Sequence, residues 1–278
     1  MVKKGFAKAF IYLMLLLMYA PIILLIIFSF VNFEQISFDQ LFNKEKLGFK
    51  LYSDLFFGDD GEIVIQAFKN TLLVAFSSGI ISTILGTLGA IGIFYSGKRM
   101  RKAYELAGQI PVLNPEIITA LSLTILFVFV GIEFNFITLL IGHVVLTIPF
   151  VVLSVIPKLK QMDSNIYEAA LDLGAKPRQA LTKIIIPQIL PGILSGFILA
   201  ITLSLDDYII TAFTRNNSFV TLSTYVYGVT SKRGAIPPTL RALTTIIVVT
   251  TLVILLVYNF TSGKKKTKRG RVWKNMCH

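Results

Sequence analysis

Six long apolar stretches, separated by charged ones, decide what this chain can fold into. The first, Ala9 to Val31, contains no charged residue, and about 20 helical residues suffice to cross a bilayer. Only 15% of the 278 residues are charged and mean hydropathy is +0.73, whereas soluble domains carry about a quarter. Inside lipid every backbone N–H and C=O must be satisfied within the segment, and for runs of this length that means helix. The expected fold class is all-α: a polytopic membrane protein with six transmembrane helices.

Taken in order, Lys3, Lys4 and Lys8 precede the first run. That run ends without a small-x-small cleavage site and reads as an uncleaved signal-anchor helix, with a kink expected at Pro21. Asn32 to Lys69 holds Glu34, Asp39, Glu45, Asp54, Asp59, Asp60 and Glu62 and reads as an external loop with short interfacial helices. The second span is expected from about Asn70 to Tyr95, with Ser82, Gly86 and Ala90 at the four-residue spacing that lets helices approach closely. A basic loop, Ser96 to Tyr104, leads to a third span from about Leu106 to Val130, interrupted by Pro111 and Pro115 and carrying Glu116. A tight turn, Gly131 to Asn135, precedes the fourth span, Phe136 to Pro157, in which His143 reads as a satisfied packing residue. The fifth, about Ile189 to Ala212, repeats small residues at Gly192, Gly196, Ala200 and Ser204, then carries Asp206 and Asp207. Thr214 to Arg241 reads as a second external segment, and about Ala242 to Phe260 as the sixth span, before a basic tail.

The formal net charge of +12 marks orientation rather than nucleic-acid binding. The N-terminus, the Ser96 loop, the loop after Pro157 and the tail hold three, four, five and seven Lys or Arg, nineteen of the 27. By the positive-inside rule these segments and both termini are cytoplasmic. The tail, Lys264 to Lys274, is expected to contact anionic lipid headgroups. A single cysteine, Cys277, excludes an intrachain disulfide framework, and two histidines in the whole chain speak against a metal enzyme. Gly92-x4-Gly97-Lys98-Arg99 falls one residue short of a phosphate-binding P-loop. Arg99 replaces the Ser or Thr that would ligate magnesium, and the stretch ends an apolar run rather than following a strand. The chain is therefore expected to hydrolyse no ATP and to perform no covalent chemistry of its own.

One polar stretch between the fourth and fifth spans has a grammar of its own. Asn165 to Leu173 contains no helix breaker, Gly174 suits the left-handed position that ends a helix, and Pro177 suits the first turn of the next. Glu168-Ala169-Ala170, three residues, Gly174, nine residues, then Ile184-x-Ile186-Pro187 resembles the E-A-A-x3-G-x9-I-x-L-P motif of membrane permease subunits of binding-protein-dependent ABC importers. Ile186 stands where Leu is usual. The resemblance implies the type I (MetI-like) permease fold and a coupling helix seated on an ATPase subunit. Glu168, Ala169, Ala170, Gly174, Ile184 and Pro187 would form that coupling segment, with Pro187 restarting the chain into the fifth span.

Asn70-Thr71-Leu72, Asn114-Pro115-Glu116 and Ser204-Leu205-Asp206-Asp207 resemble, more narrowly, the second permease subunit of spermidine/putrescine importers. Glu116 stands where many relatives have Asp. Acids inside a membrane are costly and mark function by default, so Glu116, Asp206 and Asp207 are candidates to line a polycation's path. Tyr208 beside them could stack on an ammonium. On a continuous helix Asp207 shares the face of Ala200 and Asp206 points about 100° away, so the two acids are expected to do different jobs.

The partners implied are a cytosolic ABC ATPase dimer, a second related permease subunit, an extracytoplasmic substrate-binding protein and membrane lipid, with no cofactor and no nucleic acid. Residues 1–65 would form the anchor and external loop, 66–260 the permease domain and 261–278 the cytoplasmic tail. Two readings compete. External Arg215, Lys232 and Arg233 would suit an importer of an anion or an iron complex. Glu116 with Asp206 or Asp207 would suit a proton-coupled carrier, against which stands the lack of an internal repeat.

Overall fold

The computed structural model describes residues 2–31, 48–108, 110, 114–163, 165–233, 238–250 and 252–253. The regular elements there are helices: α1 (Val2–Phe28), α2 (Lys50–Phe57), α3 (Asp59–Tyr95), α4 (Lys98–Ala107), α5 (Glu116–Val130), α6 (Phe136–Gln161), α7 (Ile166–Asp172), α8 (Pro177–Ala180), α9 (Ile186–Asp206), α10 (Ile209–Thr214), α11 (Leu222–Arg233) and α12 (Pro238–Thr250). Among the described residues, four helical stretches are long and apolar enough to cross a bilayer: Lys8–Phe28, Gly61–Tyr95, Phe136–Gln161 and Pro177–Asp206. Two shorter apolar helices, α5 and α12, stand where the third and sixth spans are expected. The tail with Lys264 to Lys274 and Cys277 lies outside the described residues, as do residues 254–260.

Several expected boundaries move. α3 begins at Asp59, inside the stretch read as an external loop. Its early acids are a helix-start signal, since carboxylates favour the partial positive charge of a helix N-terminus. The basic loop after Ser96 is largely the helix α4, whose run from Lys98 to Ala107 contains no breaker. The third span does not run through from Leu106. That residue belongs to α4, and Pro115 caps a separate helix starting at Glu116, a position where the missing N–H leaves no intrahelical bond unmade. The segment Thr214 to Arg241 contains α11 and the beginning of α12 rather than loop alone. α1 contains Pro21 within one unbroken helix.

The chain divides into two compact units, Gln66–Tyr225 and a second made of Met1–Ile65 with Val226–His278. In the second unit the end of α1 is tied to α2. Ser29 Oγ lies 2.8 Å from the Tyr52 hydroxyl, and Phe30, Phe49 and Tyr52 form a ring cluster.

The first unit is organised around α6. Val151, Val155, Ile156 and Leu159 of α6 pack with Ala90 and Ile91 of α3 and with Ile185, Ile189 and Ala200 leading into and along α9. Both small-residue stripes serve this contact. A Cβ placed on Gly196 would lie 3.2 Å from Val151 Cα, and one on Gly86 only 2.8 Å from Val151 Cβ. Val151 is thus gripped from α3 and from α9, an approach only residues without bulk allow.

The two ends of α6 differ in character. At its start the Asn135 side chain accepts the Ile137 N–H at 2.7 Å while Thr138 Oγ accepts the Asn135 N–H at 2.9 Å, a reciprocal cap. The Phe136 ring there meets Phe219, centroids 5.5 Å apart. At its end Ile156, Pro157 and Lys160 line a cavity of about 170 Å³ with Tyr104 and Gly108 beside α4.

Candidate functional site

The motif stretch folds as helix, turn and helix. α7 closes in a paired cap: the Ala175 N–H donates to the Ala170 carbonyl at 3.0 Å and the Gly174 N–H to Leu171 at 2.9 Å. Gly174 adopts φ +87°, a conformation that costs an L-residue with a Cβ about 1–2 kcal/mol. Pro177 opens α8, and the Lys176 N–H is satisfied by Gln179 Oε1 at 3.1 Å. Glu168, Ala169 and Pro187 are exposed, Ile184 is half-buried, and Ala170, Ala180 and Ile185 face inward. Tyr167 rests on Tyr95 at the end of α3, ring centroids 5.1 Å apart. Beneath it Ile91, Tyr95, Tyr167, Pro177, Arg178 and Leu181 line a cavity of about 330 Å³.

Pro187 does not restart the chain. From Pro177 to Asp206 the helix is continuous, and a π-helical turn, Leu181–Ile185, precedes the proline. There the Ile186 N–H bonds to the carbonyl five residues back, at Leu181. A proline in an α-helix collides with the carbonyl four residues earlier; the wider turn relieves that conflict without breaking the rod.

The acids of the fifth span part company. The expected helix through Ala212 instead ends at Asp206, and Asp207 turns extended with ψ 128°. A short Asp side chain competes with the helix for nearby backbone donors, and Asp207 does so here. Its carboxylate accepts the Ile210 N–H at 3.2 Å, the Thr211 N–H at 2.9 Å and the Thr211 hydroxyl at 2.9 Å. Asp207 is buried at 6% exposure, while Asp206 is exposed. Glu116, the first residue of α5 and exposed, lies within Coulombic range of both. Tyr208, half-buried, occupies the cap position of α10. The three acids are therefore brought together, with one turned inward and two facing out.

The six-residue α10 is held by side chains at both ends. Asp207 binds its first N–H groups. Its last carbonyls accept the hydroxyls of Thr124 on α5, which reaches Phe213 at 3.1 Å, and Thr138 on α6, which reaches Thr214 at 2.9 Å. His143, buried on α6, bridges Ser204 on one side and Thr211 on the other at 2.7 and 2.9 Å. It is satisfied at both ring nitrogens, as expected of a packing residue, and it sits at the break itself. Asn70 and Thr71 also acquire a purpose. The Asn70 amide donates to the Val220 carbonyl at 2.8 Å, and Thr71 Oγ accepts the Leu222 N–H at 2.8 Å, fixing the entry to α11. His143, Thr124 and Thr138 gave no sign of these contacts beyond being polar residues in apolar helices, and the Asn70-Thr71 and Ser204 motifs named no partner.

Residues 82–265 match the family described as binding-protein-dependent transport system inner membrane component. The chain is 32% identical over 264 residues to the spermidine/putrescine transport system permease protein PotC of Haemophilus influenzae, covering 92% of this chain and 96% of the relative. It is 33% identical over 253 residues to PotC of Escherichia coli strain K12, covering 90% and 91%. A solved bacterial alginate ABC transporter, in complex with its alginate pentasaccharide-bound periplasmic protein, shares the fold with a TM-score of 0.67 at 20% identity, over 94% of this chain and 93% of that one. The helix, left-handed glycine turn and helix at Glu168–Pro187 thus stand in a known setting: this chain belongs to the inner membrane components of binding-protein-dependent transport systems, the permease subunits of ABC importers.

Proposed function

We propose that this chain conducts polyamines, spermidine or putrescine, into the cell as one half of an ATP-driven permease. The observation that carries the cargo is the identity of 32% and 33% to two PotC proteins, along at least 90% of the chain. The gathering of Glu116, Asp206 and Asp207 supports it, because a polycation leaving water needs carboxylates to replace its hydration. Asp206 and Glu116, both exposed, are the groups offered to cargo, with Tyr208 beside them. Asp207 shapes the site from within. Arg215, which would favour an anionic cargo, has its Nη1 engaged by the carbonyls of Asn216, Asn217 and Phe219.

Energy enters at the other end. A cytosolic ATPase pair docks on α7 through exposed Glu168 and Ala169, with Ala170 holding α7 to its own bundle and Gly174 setting the angle at which it is presented. Ile184 and Pro187 carry the push into α9. Nucleotide and cargo each shift the inward/outward equilibrium by their differential affinity for the two states. The second permease half is a related but different subunit, and an extracytoplasmic binding protein delivers cargo, a reading in keeping with the alginate transporter's complex with its alginate-bound periplasmic protein. Residues 66–260 form the permease domain, preceded by the anchor region 1–65 and followed by the tail 261–278 at the lipid surface.

The test is uptake of radiolabelled spermidine and putrescine by cells lacking this chain, with the gene restored as control. Loss and recovery of either uptake is the expected result. Unchanged uptake of both polyamines without the chain would remove the cargo assignment.

A further inference from the structure

We propose that His143 is a positioning residue: it fastens both rims of the break in the fifth span to α6 and so sets where Asp206 is presented. The functional weight of this rests on the reading that Asp206 faces the cargo. The geometry is independent of it.

A break in a membrane helix frees backbone groups that lipid cannot satisfy, so it persists only where protein groups replace the lost bonds. Here several of the replacements come from side chains. Asp207 takes the Ile210 and Thr211 N–H groups, and the Ser223 hydroxyl takes the Asp207 carbonyl at 2.7 Å. What these local bonds do not fix is the angle between α9 and α10. Thr124 and Thr138 hold the far end of α10, and at the break itself His143 holds both sides. Its Nδ1 lies 2.7 Å from Ser204 Oγ, in the last turn of α9, and its Nε2 lies 2.9 Å from Thr211 Oγ1, in the first turn of α10. The ring is 1% exposed on α6, the helix on which the first unit is built.

Proton bookkeeping gives this row one direction. The Thr211 hydroxyl donates to the Asp207 carboxylate at 2.9 Å, so its oxygen is left to accept, which places the imidazole hydrogen on Nε2. Nδ1 then accepts from Ser204, whose oxygen accepts in turn from Ser78 of α3 at 3.1 Å. The row therefore runs Ser78, Ser204, His143, Thr211, Asp207, each donating to the next, and ends on a carboxylate 3.6 Å from Nε2. Such a row is satisfied as a whole, and removal of its middle member takes one buried hydrogen bond from Ser204 and one from Thr211 while each keeps its outer partner. Asp206 stands between the two fastened turns, so its direction follows from theirs.

The experiment uses the full chain in membranes, with Asp206→Cys as a reporter in a Cys277→Ser background. Its thiol is labelled with a water-soluble maleimide, and rates are normalised to protein amount and to a Ser218→Cys reporter on the exposed loop. His143→Leu, which removes both arms, is expected to change the rate at position 206 by about fivefold or more, the scale of one lost buried hydrogen bond. His143→Gln, whose amide carries a donor for Thr211 and an acceptor for Ser204, is expected to stay within about twofold. Should His143→Leu fail to accumulate, Ser204→Ala and Thr211→Val each remove one arm and carry the same comparison. Equal rates in all backgrounds, or no labelling in any, overturn the proposal. Spermidine uptake is followed in parallel: a native chain that takes up none sinks the cargo reading and leaves the labelling result standing.

Discussion

Asp206 and Asp207 are the same residue type one position apart, yet their surroundings give them opposite work. Asp207 is buried with three hydrogen bonds to α10, and Asp206 is exposed at the end of α9. Asp206→Asn removes a charge offered to cargo and should raise the KM for spermidine uptake while leaving the protein's amount and melting temperature unchanged. Asp207→Asn keeps one acceptor oxygen but turns an NH₂ donor toward backbone donors, a mismatch worth about 1–2 kcal/mol. It should lower the melting temperature in detergent and the amount in the membrane first. Uptake kinetics and thermal unfolding of the two variants side by side decide the matter, and exchanged phenotypes would invert the assignment. That the acids of the fifth span are candidates for function was legible from their cost in lipid. Which one faces inward was not, because the answer lies with His143 and Thr211, and no spacing rule links a histidine on one helix to a threonine beyond a break on another.

At the scale of elements, legibility follows how local the cause is. The end of α7 and the start of α8 could be read because a left-handed glycine and an N1 proline act within one turn. The continuous rod from Pro177 to Asp206 could not, since Pro187 reads as a helix start and the π-turn that accommodates it inside a longer helix leaves no mark of its own in the sequence. Nor could the early start of α3, where acids read as loop residues are a helix N-terminus. The exposed α7 carries its own prediction. Glu168→Lys should leave the chain in the membrane at normal amount and abolish co-purification with its ATPase as well as uptake. Gly174→Ala should act more mildly, because nothing lies within 4 Å of the added Cβ and its cost is the backbone strain of about 1–2 kcal/mol. Normal ATPase binding and uptake in Glu168→Lys would end the coupling assignment.

At the scale of the whole molecule, hydropathy alone showed the order of the apolar helices, which among the described residues are four long enough to span and two shorter ones, but not their lengths, because prolines and flanking helices redraw the ends. The same holds for sidedness, which the structure turns into geometry within Gln66–Tyr225. α6 has 26 residues, about 39 Å at 1.5 Å per residue, enough to cross a hydrocarbon core of about 30 Å. Its start meets Phe219 and the loop after α10; its end, with Lys158 and Lys160, meets the α4 region through Tyr104 and Gly108. The loop near Ser218 and the basic helix α4 therefore lie at opposite ends of one spanning helix. On the proposed topology, Lys98, Arg99, Arg101 and Lys102 on α4 make that end the cytoplasmic one by the positive-inside rule, with the 216–219 loop on the outer side, within reach of a binding protein. In a Cys277→Ser background, Ser218→Cys should react with an impermeant maleimide on intact cells stripped of any outer layer. Lys102→Cys, equally exposed, should react only once the membrane is opened. The reverse pattern would place α4 and Glu168 outside, beyond the reach of any cytosolic ATPase, and would overturn the topology and the coupling scheme together.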